Sequence, residues 1–382
     1  MTPLFPRLLT GVGTLRRVGR SAQSLAATRA LVFTDPGVRA AGHADRVIGH
    51  LELAGLKVHL HEDIQANPTT EDVQRAVAAM REWLPDLLVA VGGGSCMDTS
   101  KAANLVFTNG GEVADHQGRT TPVHPLLPSI AIPTTAGTGS EVQSFALIGD
   151  ATTHRKMACS APGAMPDIAI LDPVLTMTLP REVTAQAGLD ALVHSVETAV
   201  CTLRDSSSGA LSTEAFTLLF THLPRVLDDP ADLEAREAML IGSMKAGMAI
   251  ERSMLGAAHS MANPLTARHD IPHGLAVGMS LPHVIRYNAK GTLAPPHYAA
   301  LARAAGLRRS PSDVALSEHL ADRLQELLEH CGEKTRLQDW GVTDGDVRAL
   351  AEDADTQWTA QFNPRPVDIA GFESLYAAAL SA

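Results

Sequence analysis

The sequence predicts an α/β N-terminal domain with a mainly parallel sheet, residues 1–180, followed by an all-α C-terminal domain, residues 181–382. Three observations carry that prediction. The length of 382 residues exceeds one ordinary core of ~100–200 residues. The first half alternates short β-branched or Leu-rich runs with longer helical patterns, the rhythm of βαβ units. Beyond Leu179-Pro180 the β-branched runs fade, and Ala/Leu/Glu-rich segments of helical length take over.

Strands are expected at Ala30–Thr34, Lys57–His61, Asp86–Val91 and Ser129–Pro133. Between the first two, Gly37–Ala54 reads as a helix, because Val47, Leu51 and Ala54 recur at helical spacing and Gly55 is placed to end it. A second helix is expected over Thr70–Trp83, where Val73, Val77 and Met80 share a face and Thr69-Thr70-Glu71-Asp72 supplies a capping start. In the second half, Arg181–Leu203, Ser212–Val226, Leu233–Ser253, Asp313–Cys331 and Thr343–Asp355 have helical periodicity. Asn363-Pro364-Arg365-Pro366 reads as a rigid loop before a last short helix.

Composition excludes several function classes. Hydrophobic residues at 45% and charged ones at 19% are ordinary globular usage, which rules out a mainly disordered chain. The 31 Lys+Arg against 42 Asp+Glu leave a formal charge of -11, which repels a phosphate backbone and argues against nucleic-acid or anionic-lipid partners. No stretch approaches the ~18 consecutive apolar residues of a membrane span. Met1–Gly13 carries two prolines and an arginine where a signal peptide needs an apolar run, so a cytoplasmic location is expected. Cys96, Cys159, Cys201 and Cys331 are far apart and read as reduced thiols.

Four segments carry chemistry. Val91-Gly92-Gly93-Gly94-Ser95 is a glycine turn between an apolar strand and an amphipathic helix, where backbone N–H groups and a helix N-terminus suit a pyrophosphate. It is not GxGxxG, and by itself such a turn is often structural. Ile132-Pro133-Thr134-Thr135-Ala136-Gly137-Thr138-Gly139-Ser140 ends a strand in hydroxyls and small residues, so Thr134, Thr135 and Thr138 can donate to phosphate or ribose oxygens. Asp35 closes the first strand, where a carboxylate accepts ribose hydroxyls and repels a 2′-phosphate, favouring NAD over NADP; it also reads as a turn-forming Asp before Pro36. Asp190 and His194 lie four apart on one helix face, and His259 and His273 add two imidazoles, with prolines placing His273 on a loop. One carboxylate and three imidazoles without thiolate suit a divalent ion of the iron or zinc type.

Together these segments resemble the iron-containing alcohol dehydrogenase family, over nearly the whole chain. The resemblance rests on GGGSCMDTSK at Gly92–Lys101, IPTTAGTGSEV at Ile132–Val142, GLDALVHSVE at Gly188–Glu197, and HSMANP with IPHG between His259 and Gly274. It implies a dinucleotide-binding α/β domain and a helical metal-binding domain with the active site in the cleft between them. It also implies Asp190, His194, His259 and His273 as ligands of Fe2+ first and Zn2+ second, and Asp35, Gly93, Gly94, Ser95, Thr134, Thr135, Thr138 and Lys156 around the dinucleotide. The implied activity is metal-dependent, NAD(P)-linked hydride transfer between a small alcohol and its aldehyde or ketone, in a homodimer.

One departure matters. Many relatives carry a histidine four residues after the third ligand, and this chain has Asn263 there, an amide that orients a hydroxyl or water but does not titrate near neutral pH. The proton is then expected to move through water or ribose hydroxyls, with His269 as a substitute or a plain loop residue. The alternatives on the same fold are a maleylacetate-reductase-like or hydroxy-acid dehydrogenase, a dehydroquinate-synthase-like enzyme, and a non-catalytic nucleotide-binding protein.

Overall fold

The structure, a computed structural model, describes residues 5–152, 156–307, 312–332 and 334–381. The chain divides into two compact units, Met1–Leu179 and Pro180–Ala382.

The first unit contains strands β1 (Arg7–Thr10), β2 (Arg29–Phe33), β3 (Lys57–His61), β4 (Leu87–Gly92), β5 (Gly118–Arg119), β6 (Ser129–Pro133), β7 (Phe145–Gly149), β8 (Lys156–Ser160) and β9 (Ile168–Leu171). Its helices are α1 (Val18–Ser24), α2 (Pro36–Ala40), α3 (His43–Leu53), α4 (Thr70–Trp83) and α5 (Gly94–Asn109). Six strands form a sheet in the order β1-β9-β6-β4-β2-β3, every neighbouring pair parallel. Such strands are buried on both faces, and alternation along β2 and β4 shows it. Leu31, Phe33, Leu88 and Ala90 pack on one side with Val73, Val77 and Met80 of α4. Ala30, Val32, Val89 and Val91 pack on the other with Val18 of α1 and Val47 and Leu51 of α3.

The chain leaves β2 for β3 on one side and then returns past β2 to β4, which makes the β2/β4 boundary the switch point. In parallel sheets the crevice outside the strand ends at such a point is where ligands bind. Asp35 follows β2 there, and the glycine turn follows β4.

Two expectations are corrected in this unit. The single helix over Gly37–Ala54 is two, α2 and α3, because Gly42 takes φ 77° between them, a left-handed turn that interrupts the ladder. A three-stranded sheet, β5-β8-β7, was not expected; β5 has only two residues, too few to show a period.

The second unit consists of helices α6 (Arg181–Val200), α7 (Ser206–Asp228), α8 (Leu233–Arg252), α9 (Ala257–His269), α10 (His273–Asn288), α11 (Pro295–Ala304), α12 (Asp313–Cys331), α13 (Val347–Asp355) and α14 (Ile369–Leu380), joined by loops and short 3-10 turns. α6 is buried along most of its length from Gly188 onward, so it is the central helix of this unit. α7 begins before the expected Ser212 because Asp205 caps it, accepting from the Ser208 N–H, and so offsets the poor helix formers Ser206–Gly209. His273 lies on no loop: Asp270, at φ 54°, ends α9, and after Pro272 the chain starts α10 with His273 as its first residue. Pro272 suits that position because a proline needs no intrahelical N–H partner. The expected helix at Thr343 begins at Val347, preceded by a 3-10 turn.

Candidate metal centre and nucleotide cradle

The cradle lies in the first unit. Gly92, at φ 153°, has no room for a side chain: a Cβ there would meet the Cys96 thiol and approach Asp35 Oδ2 to 3.5 Å. Gly93 precedes α5 without any side-chain cap, and Gly94 and Ser95 form its first residues, so their N–H groups stay available to an anion. The threonine loop packs directly on this turn. A Cβ on Gly93 would lie 3.3 Å from Thr135 Oγ1, and one on Gly94 only 3.0 Å from Thr138 Oγ1. Thr134 Oγ1 is buried with no hydrogen-bond partner, so its hydroxyl could donate to a bound group.

Asp35 serves two ends. Its Oδ1 accepts from the Val38 N–H at 2.9 Å, capping α2, and its Oδ2 accepts from the Cys96 thiol at 3.4 Å. The first of these contacts bears out the turn-forming reading of this residue. Lys156 opens β8 on the exposed side, and its charge acts on Asp98 of α5.

The second unit brings all four metal candidates to one oxygen. His194 Nε2 lies 3.3 Å from Asp190 Oδ1, His259 Nε2 3.6 Å, and His273 Nε2 3.7 Å. Ligand atoms held ~2.1 Å from a tetrahedral ion lie about 3.4 Å apart; the ligand atoms of Asp190, His259 and His273 all lie within 4.8 Å of one another, a spacing that could hold a small cation, with His194 beside them on the Asp190 oxygen. Asp190 Oδ1 and His259 Nε2 are buried and lack any hydrogen-bond partner, as expected of atoms that face an ion. The His194 and His259 rings stack with centroids 4.9 Å apart, and His273 tilts against His259 at 5.4 Å.

Packing explains the convergence. Asp190 and His194 share a face of α6 by helical periodicity. His273 reaches them because Gly274 lets α10 start flush against α6, where any Cβ would run into the Gln186 carbonyl.

Glu197, on the same face seven residues after Asp190, is a functional residue the sequence reading missed. It accepts from the Ala258 N–H at 2.7 Å and from His259 Nδ1 at 2.6 Å. A carboxylate only accepts, so it holds the proton on Nδ1 and turns the Nε2 lone pair toward Asp190. The signal was present as Asp190, His194 and Glu197 at positions i, i+4 and i+7.

Electrostatics agree with this geometry. Burial by itself would raise the Asp190 carboxyl, but the surrounding imidazoles, His194 first, hold it well below the usual carboxylate range. Burial pulls the His259 imidazole down, yet the Glu197 and Asp190 carboxylates push it up to about 9.

Asn263 sits one turn beyond His259 on α9, half-buried, and its amide donates to Gln357 Oε1 at 2.9 Å. His269 ends α9, ten residues or about 15 Å of helix rise beyond His259, with its charge acting on Asp346. The structure does not bring it into the metal group.

Comparisons with known proteins cover nearly the whole chain. A family profile described as iron-containing alcohol dehydrogenase covers residues 6–173, and one described as Fe-containing alcohol dehydrogenase family, C-terminal, covers residues 184–380. Alcohol dehydrogenase 4 of Schizosaccharomyces pombe is 34% identical over 356 residues, 93% of this chain and 83% of that protein. A crystal structure of 1,3-propanediol oxidoreductase superposes with a TM-score of 0.94 at 31% identity, covering 98% of each chain. Sulfoacetaldehyde reductase from Bifidobacterium kashiwanohense, solved with NAD+, superposes with a TM-score of 0.88 at 28% identity, covering 99% of this chain and 97% of that one. Among the described residues, no helix is long and apolar enough to cross a membrane.

Proposed function

This chain belongs to the iron-containing alcohol dehydrogenase family and is a metal-dependent oxidoreductase of alcohols; within that activity we propose that it exchanges hydride between NAD and a short alcohol or its aldehyde. The observation that carries this reading is the bare, buried pair Asp190 Oδ1 and His259 Nε2, with His194 and His273 within 4 Å of the same carboxylate oxygen. We assign these four side chains to Fe2+, with Zn2+ as the second candidate. When bound, the ion supplies Lewis acidity toward an alcohol or carbonyl oxygen, and the nicotinamide supplies the hydride carrier.

The chain's own residues do the rest. Of the four ligand side chains only Asp190 would bring a negative charge to a divalent ion, with the Glu197 carboxylate one shell out behind His259, so the ion would keep Lewis acidity toward an oxygen that gains negative charge during reaction. Glu197 keeps His259 in the tautomer that can ligate. Asn263, with its amide donating to Gln357, orients a hydroxyl or a water and leaves proton transfer to water or to ribose hydroxyls. The Asp35 carboxylate at the switch point supports NAD over NADP, since it would repel a 2′-phosphate. A small substrate is supported by the similarity to an enzyme named for 1,3-propanediol.

The test is NADH oxidation with propanal, followed by absorbance, using protein stripped by chelator and then reloaded with Fe2+ or Zn2+. Turnover is expected only after reloading. Turnover indifferent to chelation, or absent with every short alcohol and aldehyde tried, overturns the reading.

A further inference from the structure

The loop Asn363-Pro364-Arg365-Pro366 takes no part in the chemistry above, yet it reaches the start of the helix that carries His259. α9 begins with no side-chain cap of its own: its N-cap is Gly256, and Ala257, Ala258 and His259 behind it are all buried. Buried N–H groups at a helix start must find acceptors elsewhere. Two distant side chains supply them. The Ala258 N–H donates to Glu197 Oε1 at 2.7 Å, and the Ala257 N–H makes a longer bond, 3.4 Å, to Asn363 Oδ1. Gly256 leaves room for both, since a Cβ there would lie 3.1 Å from Asn363 Oδ1 and 3.2 Å from Glu197 Oε1.

Asn363 is itself held on every side. Its Nδ2 donates to Arg365 O at 2.6 Å and to Asn288 Oδ1 at 2.8 Å, while Asn288 Nδ2 donates back to Asn363 Oδ1 at 3.1 Å and to Tyr298 Oη at 3.0 Å. A carbonyl only accepts, so the Arg365 contact fixes which end of the Asn363 amide is NH2 and turns Oδ1 toward Ala257. Arg365 in turn is pinned to α10: its guanidinium lies 3.9 Å over the Tyr287 ring and donates to Tyr287 O at 2.7 Å, and the Tyr287 hydroxyl donates to Pro366 O at 2.8 Å. The chain just before this loop runs back along α9. Thr359 Oγ1 lies 2.7 Å from Ser260 Oγ, and Gln357 Oε1 accepts from Asn263 Nδ2 at 2.9 Å. Ala257, Ser260 and Asn263 stand at i, i+3 and i+6, so one stripe of α9 is fastened by polar groups of residues 357–363, which are anchored to the helix that opens with His273.

We propose that Asn363 is a positioning residue for His259: with Glu197 it caps the start of α9 from outside the helix, and through the paired amide of Asn288 it ties that start to α10, so that the His259 and His273 imidazoles keep their places beside Asp190. The two caps divide the work. Glu197 sets the tautomer of His259 and Asn363 sets where its backbone stands. This rests on the metal reading above and adds a residue from the far end of the chain that touches no ligand side chain.

The experiment compares the full-length protein, stripped of metal, with its Asn363→Ala, Asn288→Ala and Tyr287→Phe variants. Zn2+ affinity is read by chelator-buffered titration, ligand geometry by the visible absorption of the Co2+-loaded protein, and NADH affinity by fluorescence. Asn363→Ala is expected to weaken Zn2+ by about tenfold, the low end of what groups behind a metal ligand contribute, and to alter the Co2+ bands, while NADH affinity stays within twofold. Asn288→Ala, which leaves Asn363 its contact with Ala257 but not its support, is expected to lose several-fold. Tyr287→Phe, which loosens the same loop at Pro366 without touching Asn363, is expected to stay within twofold. A folded Asn363→Ala protein with Zn2+ affinity within twofold of the parent and unchanged Co2+ bands overturns the proposal, and so does a Tyr287→Phe loss equal to that of Asn363→Ala, which would mark general loosening. Should neither asparagine variant fold, hydrogen exchange of the parent decides: by reciprocity Zn2+ must slow exchange across residues 357–366, and unchanged exchange overturns the proposal. If the parent itself binds neither Zn2+ nor Co2+, the metal reading falls and this role with it.

Discussion

Replacing Glu197 by glutamine tests the metal site without touching a ligand. Glu197 is 3% exposed and accepts two hydrogen bonds, from the Ala258 N–H at 2.7 Å and His259 Nδ1 at 2.6 Å. Glutamine has one acceptor and one donor end, so it cannot serve both. If its oxygen stays on Ala258, its NH2 faces Nδ1, and the His259 proton must move to Nε2, which can then no longer ligate. If its oxygen turns to Nδ1, its NH2 opposes the Ala258 N–H, leaving two buried donors face to face. Either way one charge-assisted hydrogen bond is lost, worth ~1.5–3 kcal/mol, which corresponds to a loss of ~10–100-fold in metal affinity. One effect opposes this. Against the pull of burial, Glu197 also helps push His259 up to about 9, so at neutral pH an entering ion must expel a proton, and glutamine relieves part of that demand. The full loss is therefore expected at pH 9 and a smaller one at pH 7. The assay is a chelator-buffered Zn2+ titration of metal-free protein at both pH values, with melting temperature recorded alongside. A Kd at pH 9 within twofold of the parent refutes the tautomer argument.

Three further outcomes are expected. His259→Ala should abolish turnover while NADH affinity by fluorescence titration stays within threefold, since His259 belongs to the second unit and the cradle to the first; loss of both contradicts that division. Asp35→Ser keeps an N-cap for α2 but removes the charge, so the NADPH/NADH ratio of kcat/KM should rise about tenfold or more, and an unchanged ratio removes Asp35 from ribose selection. Glu141 is 3% exposed, and burial, only partly opposed by the Lys101 charge, raises its carboxyl from 4.5 to about 7. Because the folded-state value is the raised one, its contribution to stability is complete below pH 4.5 and is lost as pH rises through 7. Glu141→Gln should accordingly gain up to about 3 kcal/mol over the parent at pH 8 and almost nothing near pH 4.5, read by denaturant unfolding of the ligand-free protein; an equal gain at both pH values would show that the carboxyl is not raised.

Much of this protein was legible from residue order. Thr70–Trp83 and Asp313–Cys331 match their helices end to end, because a hydrophobic stripe of period 3.6 and a capping residue are both local signals. The same periodicity put Asp190 and His194 on one face, since four residues of α-helix make about one turn whatever surrounds them. The glycine turn between β4 and α5 was recognisable for a similar reason: a short run of glycines after an apolar strand supplies a strand-to-helix turn by itself.

What the tertiary structure decided is everything that depends on two elements meeting. The distances from His259 and His273 to Asp190 follow from how α9 and α10 pack on α6, where the space left by Gly274 admits the Gln186 carbonyl. Glu197 carried no meaning until His259 and Ala258 arrived beside it. The opening of α10 at His273 was also hidden, because a proline before a histidine suits a loop and a helix start equally well. Sequence spacing sets geometry along one element through the backbone's own period. Geometry between elements comes from close packing, in which a single missing Cβ decides which oxygen lies within reach of which nitrogen.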